Sequence, residues 1–238
     1  MSESLANLTA AILVGGLGTR LRTAVPDQQK VLAPVGGRPF LTRILDQLDS
    51  AGLRHVVLCT GYKADQVAEV VGDQYRNLRI SYSPEPSPFG TAGALLRMRR
   101  LSVSDSILAM NGDSFCSVDL AAFYLAHCSH RAQASLVVTQ VADTVECGRV
   151  TFDEQHWLTS FIEKGGACTP GWINAGIYLL GRPILESIPA DCRVSIELET
   201  FPAWIGRGLF AFPTTEKFLD IGTPAAYSKA QEIFYDCQ

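Results

Sequence analysis

The sequence predicts an α/β protein built on a mixed, mainly parallel sheet, and three observations predict it. Short apolar runs alternate with amphipathic runs through the first half, the rhythm of strands joined by helices. Glycines at 52 and 72 stop the amphipathic runs where helices should end. Beyond about residue 115 the rhythm changes to strand-like runs with fewer helices between them, so the sheet should not be parallel throughout.

Taken in order, Ala10–Val14 reads as a buried first strand. The run from Phe40 to Ser50 carries apolar residues at 41, 44, 45 and 48, which is helical spacing. His55–Cys59 reads as a second strand, Ala64–Val71 as a helix, and Leu78–Ser83 as a third strand before a proline-rich turn. Thr91–Arg100 reads as a helix, and Ile107–Met110 as a central strand running into Asn111-Gly112-Asp113. This β-α-β-α-β-α-β order implies right-handed crossovers. Then come a helix over Asp119–Ser129 and strands at Ser135–Gln140, Gly148–Phe152, Leu158–Ile162 and Ile173–Leu180. A helix over Ser195–Ile205, short strands at Leu209–Phe212 and Phe218–Leu219, and a helix over Pro224–Phe234 close the pattern. No repeat, linker or low-complexity run divides the 238 residues, which read as one continuous domain.

Composition narrows the function classes. About half the residues are apolar and 18% are charged, with a net charge of -4 and no basic run, which argues against nucleic-acid binding. The first apolar stretch is too short to span a bilayer, and the start lacks the pattern of a signal peptide. A cytoplasmic protein without a membrane partner is expected. The seven cysteines are scattered and form no CxxC pair, which favours reduced thiols. The run His127-Cys128-Ser129-His130 has no matching second half elsewhere, so a zinc site is not expected there. Homo-oligomerisation is left open.

The segment Gly15-Gly16-Leu17-Gly18-Thr19-Arg20 follows the first strand, where backbone N–H groups can face phosphate. Two common interpretations fail on specific residues. The dinucleotide fingerprint would need glycine at position 21, which is Leu21, and an acidic residue near Cys59-Thr60. The ATPase P-loop would need Lys-Ser/Thr after Gly18, where Thr19-Arg20 stand. A ligand-free glycine turn would leave Arg20 and Lys30 unexplained.

The loop with Leu21-Arg22, followed by Lys30-Val31-Leu32-Ala33-Pro34-Val35, resembles the signature of the sugar-1-phosphate nucleotidyltransferases. The resemblance extends through Phe89-Gly90-Thr91-Ala92-Gly93-Ala94, Asn111-Gly112-Asp113, Glu163-Lys164, Asn174-Ala175-Gly176-Ile177-Tyr178 and Phe218-Leu219-Asp220-Ile221-Gly222-Thr223-Pro224. It covers nearly the whole chain in the family's order. It implies a Rossmann-like three-layer sandwich, with a nucleotide-binding half over 1–115 and a sugar-phosphate-binding half over 116–238. The segment from Lys30 to Leu41 looks most like the D-glycero-D-manno-heptose 1-phosphate guanylyltransferases, with mannose-1-phosphate enzymes next. One departure is Gln29, where the family usually has proline; without that ring the loop is expected to be less rigid.

The implied reaction joins a nucleoside triphosphate to a sugar 1-phosphate and releases pyrophosphate. The nucleophile is already an anion, so positioning and charge neutralisation carry the catalysis. The resemblance makes Arg20, Lys30 and Asp113 catalytic, and Asp113 with Asp220 a Mg²⁺ pair, a donor set that suits this ion. Either aspartate could instead be a cap or a turn former. Leu13, Gly15, Gly16, Gly18, Thr19, Glu85, Gly90, Thr91 and Gly112 would meet the nucleotide. Gly148, Glu163, Lys164, Asn174, Glu197 and the backbone of Gly176 would meet the sugar phosphate. Glu85 is a carboxylate in the base-facing segment. It can accept from the adjacent N1–H and N2 amino donors of guanine, which favours GTP. A non-catalytic, nucleotide-sugar-binding relative would be expected to lack Arg20, Lys30, Asp113 or Asp220, and all four are present.

Overall fold

A computed structural model describes residues 5–21, 24–145, 147–163, 169–190 and 192–235. The chain enters through a 3-10 turn (Leu5–Asn7) and β1 (Thr9–Leu13). A second 3-10 turn (Lys30–Leu32) and a hairpin of β2 (Pro34–Val35) and β3 (Arg38–Pro39) lead to α1 (Phe40–Ser50), β4 (His55–Thr60) and α2 (Ala64–Val71). Then come β5 (Gln74–Tyr75), β6 (Leu78–Pro84), α3 (Gly90–Met98), β7 (Ile107–Asn111), β8 (Ser114–Cys116) and α4 (Leu120–His130). Strands β9 (Ala134–Val141), β10 (Arg149–Phe152), β11 (Leu158–Ile162) and β12 (Gly171–Leu180) follow. The remaining elements are α5 (Arg182–Glu186), a π-helical turn (Ile196–Thr200), α6 (Phe201–Trp204), β13 (Leu209–Thr214), β14 (Phe218–Asp220) and α7 (Pro224–Tyr235).

One sheet of 10 strands runs β11-β10-β12-β7-β1-β4-β6-β5, and β9 and β13 extend it from the other edge of β12. Pairing is parallel for β1 with β4 and β7, for β4 with β6, and for β9 with β13. Strand β12 is the hinge of the mixture, antiparallel to β7, β9 and β10. Because successive strand residues face opposite sides, Ala10 and Ile12 join one apolar cluster with α1, α2 and α4, while Ala11 joins another with α3, α5 and α6. Helices therefore cover both faces, as the three-layer expectation required.

The predicted runs appear with their ends moved by a residue or two. The helix expected over Ser195–Ile205 is instead a π-helical turn followed by a single α-turn. Ser195 caps it by accepting from Leu198 N–H, and Pro202 removes a donor from the ladder that would otherwise continue. Among the described residues no helix is long and apolar enough to cross a membrane.

His127 lies inside α4, 6% exposed, with Nδ1 at 2.8 Å from the Ser135 hydroxyl. Cys128 is exposed, and His130 turns its Nδ1 to the Ala126 carbonyl at 2.9 Å. Burial drops the His127 pKa from 6.5 to about 4. The folded state therefore binds this proton less readily than the unfolded chain does. Stability should fall as pH drops from 6.5 toward 4, by up to about 3 kcal/mol. Chemical denaturation from pH 7 to pH 4 should show this slope in the wild type and a shallower one in His127→Gln; parallel curves would reject it.

Candidate active site

The site is assembled at the carboxyl ends of β1, β4 and β7, where an open α/β sheet presents its loops. The glycine loop leaves β1 through Val14, whose N–H is held by the Cys59 carbonyl at 3.0 Å. It packs backbone to backbone on the turn after β4: a Cβ on Gly15 would stand 3.3 Å from the Gly61 nitrogen. Gly18 has φ +59, and a Cβ there would meet the Lys30 Cβ at 3.0 Å. Gly16 is open to solvent. The loop therefore lies flat against its neighbours, with its outer side available to a ligand.

Two cavities open here. The first, about 270 Å³, is walled by Leu13, Gly15, Gly16, Lys30, Glu85, Gly90, Thr91 and Asp113. The second, about 320 Å³, is walled by Arg20, Asp113, Gly148, Glu163, Asn174, Gly176, Glu197 and Asp220. Asn111 and Asp113 belong to both walls, so the cavities meet at the end of β7. Leu13, Gly15, Gly16, Glu85, Gly90 and Thr91 of the expected nucleotide set line the first cavity, and Gly148, Glu163, Asn174 and Glu197 of the expected sugar-phosphate set line the second. Gly112 supports the junction from beneath, donating its N–H to Leu13 O at 3.0 Å; a Cβ there would come within 2.7 Å of that oxygen. Gly18 and Thr19 lie on the loop outside either wall, and Lys164 falls outside the described residues.

Charge concentrates at the shared wall. Lys30 Nζ stands 2.6 Å from Asp113 Oδ2, with the lysine side chain only 10% exposed. Strand β14 pairs antiparallel with β8, which sets Asp220 opposite Ser114, and Ile221 N–H donates to Asp113 O at 3.0 Å. Asp220 accepts from Gly222 N–H. Its carboxyl is pushed above the usual range, first by burial and then by the Asp113 charge, against the pull of Gly222 N–H, Lys30 and Arg20. Two carboxylates forced together beside a lysine form a centre that gains from a further cation. Their hard oxygen donors suit a divalent ion that also takes phosphate and water ligands.

Glu85 is half-buried on the first cavity wall, with its N–H held by Thr60 O at 2.8 Å. Burial raises its pKa, against the opposing effect of Arg97 and the Phe89 backbone N–H. Its Oε1 is buried without a hydrogen-bond partner among the described residues. An acceptor left uncompensated in a residue of the cavity wall suits a ligand that brings donors.

Glu197 is the centre of a polar network that sequence reading did not foresee. It accepts from Thr91 Oγ1 at 2.7 Å, Ser195 Oγ at 3.0 Å and Tyr178 O–H at 3.2 Å. Tyr178 in turn accepts from Asn174 Nδ2 at 2.7 Å, and Asn174 Oδ1 accepts from Gly176 N–H at 3.0 Å. Glu197 thus ties the first turn of α3 to β12, linking the two cavities. Its carboxylate is already engaged by three hydroxyls, so it braces the site as well as facing the second cavity.

Gln29 is bonded into the loop at the position where the family usually has proline. Its loop was expected to be less rigid without proline, yet the side chain is 1% exposed and bonded on every side. Hydrogen bonds from the side chain stand where the family usually has a ring.

Comparison with known proteins agrees with this geometry. Residues 9–236 match the family described as Nucleotidyl transferase. A D-glycero-alpha-D-manno-heptose 1-phosphate guanylyltransferase of Aneurinibacillus thermoaerophilus is 33% identical over 226 residues, 94% of this chain and 97% of that protein. A mannose-1-phosphate guanylyltransferase of Mycobacterium tuberculosis is 35% identical over 90% of this chain, which spans only 61% of that relative's length. The crystal structure of HddC from Yersinia pseudotuberculosis complexed with GMP-PN superposes with a TM-score of 0.83 at 32% identity, covering 95% of this chain and 99% of that one. With the family match spanning β1 to α7, this chain belongs to the nucleotidyltransferase family.

Proposed function

We propose that the protein transfers GMP from GTP to a sugar 1-phosphate, releasing pyrophosphate and forming a GDP-sugar. D-glycero-D-manno-heptose 1-phosphate is the favoured acceptor. The observation that carries this reading is the pair of cavities sharing Asn111 and Asp113, with Lys30 and Asp220 at the junction. Two anionic substrates placed in those cavities would bring a sugar-phosphate oxygen and an α-phosphorus together at the most charged point of the site.

The glycine loop offers backbone N–H groups to the triphosphate, and Arg20 supplies a forked donor for phosphate oxygens. Lys30 delivers a mobile positive charge to the transferring group once it leaves Asp113. A divalent cation, most simply Mg²⁺ held by Asp113 and Asp220, would offset phosphate charge when bound. The attacking oxygen forms its bond to the α-phosphorus as the bond to the bridging oxygen breaks, and pyrophosphate leaves with that electron pair. No proton need be removed from the nucleophile. Glu163, Asn174 and the backbone of Gly148 and Gly176 face the sugar. The relatives named as guanylyltransferases support the choice of base, and both heptose and mannose enzymes are among them. A cytoplasmic setting fits the reading.

Pyrophosphate release from a matrix of four triphosphates against heptose and hexose 1-phosphates is the direct test. GTP with the heptose phosphate should give the highest kcat/KM. Preference for mannose 1-phosphate would move the acceptor to the second relative's class. Preference for UTP or dTTP would overturn the guanine assignment.

Glu85→Gln tests the base contact by itself. An amide at this position presents donors to guanine's donors and removes the charge assistance. The kcat/KM for GTP should fall about tenfold or more, with the acceptor KM little changed. Wild-type GTP kinetics in this variant would exclude Glu85 from base recognition.

A further inference from the structure

We infer that Gln29 is a positioning residue that locks the glycine loop to the Lys30 turn before nucleotide arrives. The inference rests on the proposed nucleotidyl transfer for its catalytic meaning, and on geometry alone for the lock.

Gln29 sits between two segments that both face the first cavity. Its Nε2 donates to Val14 O and, at 3.2 Å, to Gly16 O, so it grips the glycine loop at both ends of Gly15. Its Oε1 accepts from Val31 N–H at 2.8 Å, and its main-chain oxygen accepts from Leu32 N–H at 2.9 Å, capping the turn that carries Lys30. From outside, Gln66 on α2 accepts from Gln29 N–H at 2.9 Å and donates to Asp27 O at 3.1 Å. The residue is 1% exposed, and its side-chain bonds to Val14 O and Val31 N–H form away from competing water.

A carboxamide is the side chain this place requires. It must give two N–H bonds to carbonyl oxygens and accept one from an amide, all without charge. Glutamate would turn a carboxylate toward two carbonyls. Asparagine is one methylene too short. The backbone at Gln29, φ -65 and ψ 132, already lies where proline would hold it. Proline could supply that φ, but none of the four bonds from the Gln29 amides. Here the spacing between the loop amides and the Lys30 ammonium is set by hydrogen bonds reaching across the loop, not by a ring within it.

The residues that the Gln29 side chain bonds, Val14, Gly16 and Val31, line the first cavity and not the second, which makes the lock separable from general stability. Gln29→Met keeps length and bulk and removes the side-chain bonds. The KM for GTP should rise about tenfold, with the KM for the sugar 1-phosphate within about twofold. Amide hydrogen exchange of the nucleotide-free protein should quicken at Val14–Arg20 and Lys30–Leu32, with the rest of β1, β4 and β7 unchanged. Gln66→Ala, on a partly exposed helix, should give a smaller shift of the same kind and serves if the first variant folds poorly. Unchanged exchange and unchanged GTP affinity in both variants would overturn the lock. So would equal rises in both KM values with a general loss of protection, which would mark Gln29 as ordinary packing. If the wild type transfers no nucleotide to any acceptor, the functional reading fails, while exchange and GMP-PN binding still decide the lock.

Discussion

Asp113→Asn is expected to lower turnover by about 1000-fold while leaving the fold intact. Asparagine preserves the shape of the side chain and removes the charge at the one place both cavities share. That charge holds Lys30 Nζ at 2.6 Å and, after burial, is the next cause that raises the pKa of the Asp220 carboxyl. Its loss takes away a cation ligand and the counter-charge that keeps Lys30 at the junction. The folding cost should be small, because losing the pair with Lys30 is offset by relief of the repulsion with Asp220. Pyrophosphate release measured alongside thermal melting decides the matter. Turnover near wild type would remove Asp113 from the chemistry, and a collapse of the melting transition would make its role structural.

Gly90→Ala should produce the largest change in stability. Gly90 opens α3 with φ +75, a conformation that L side chains avoid. A Cβ there would overlap Val194 O, well inside contact distance. That oxygen is not free to retreat. Val194 is fixed by its N–H to Phe89 O at 2.8 Å, and its carbonyl accepts from Ala92 N–H at 3.0 Å. Strain and clash together should cost roughly 3 kcal/mol or more. The next residue, Thr91, carries the link to Glu197, so GTP affinity should fall as well. Denaturant midpoints and GMP-PN binding of the purified variant report both effects. An alanine variant with wild-type stability would mean that the turn before α3 can relax, and that Gly90 is not required by its backbone.

Much of the fold was legible from local pattern. The helical spacing of Leu41, Ile44, Leu45 and Leu48, ended by Gly52, defines α1, and the apolar runs after it define β4 and β7. These are long or strongly periodic segments in which each residue's burial follows from its neighbours. Strands β2, β3, β5 and β8, of two or three residues each, were not legible, because a period cannot be read from so few positions. Strand β8 is the costly omission, since its pairing with β14 carries Asp220 to Asp113 across more than a hundred residues of chain.

The sequence by itself determined the family: a glycine loop with Arg20 and Lys30, and the isolated Asp113 and Asp220, stand in the order that the nucleotidyltransferases share. Tertiary structure alone decided how those residues meet. It set Lys30 on Asp113, engaged Glu197 with three hydroxyls, and left the Glu85 Oε1 without a partner. It also gave Gln29 hydrogen-bond partners that the missing proline does not suggest. A missing proline predicts a looser chain because proline acts locally, through one dihedral. A glutamine's contribution depends on which carbonyls and amides lie within reach, and those come from segments that only folding brings together.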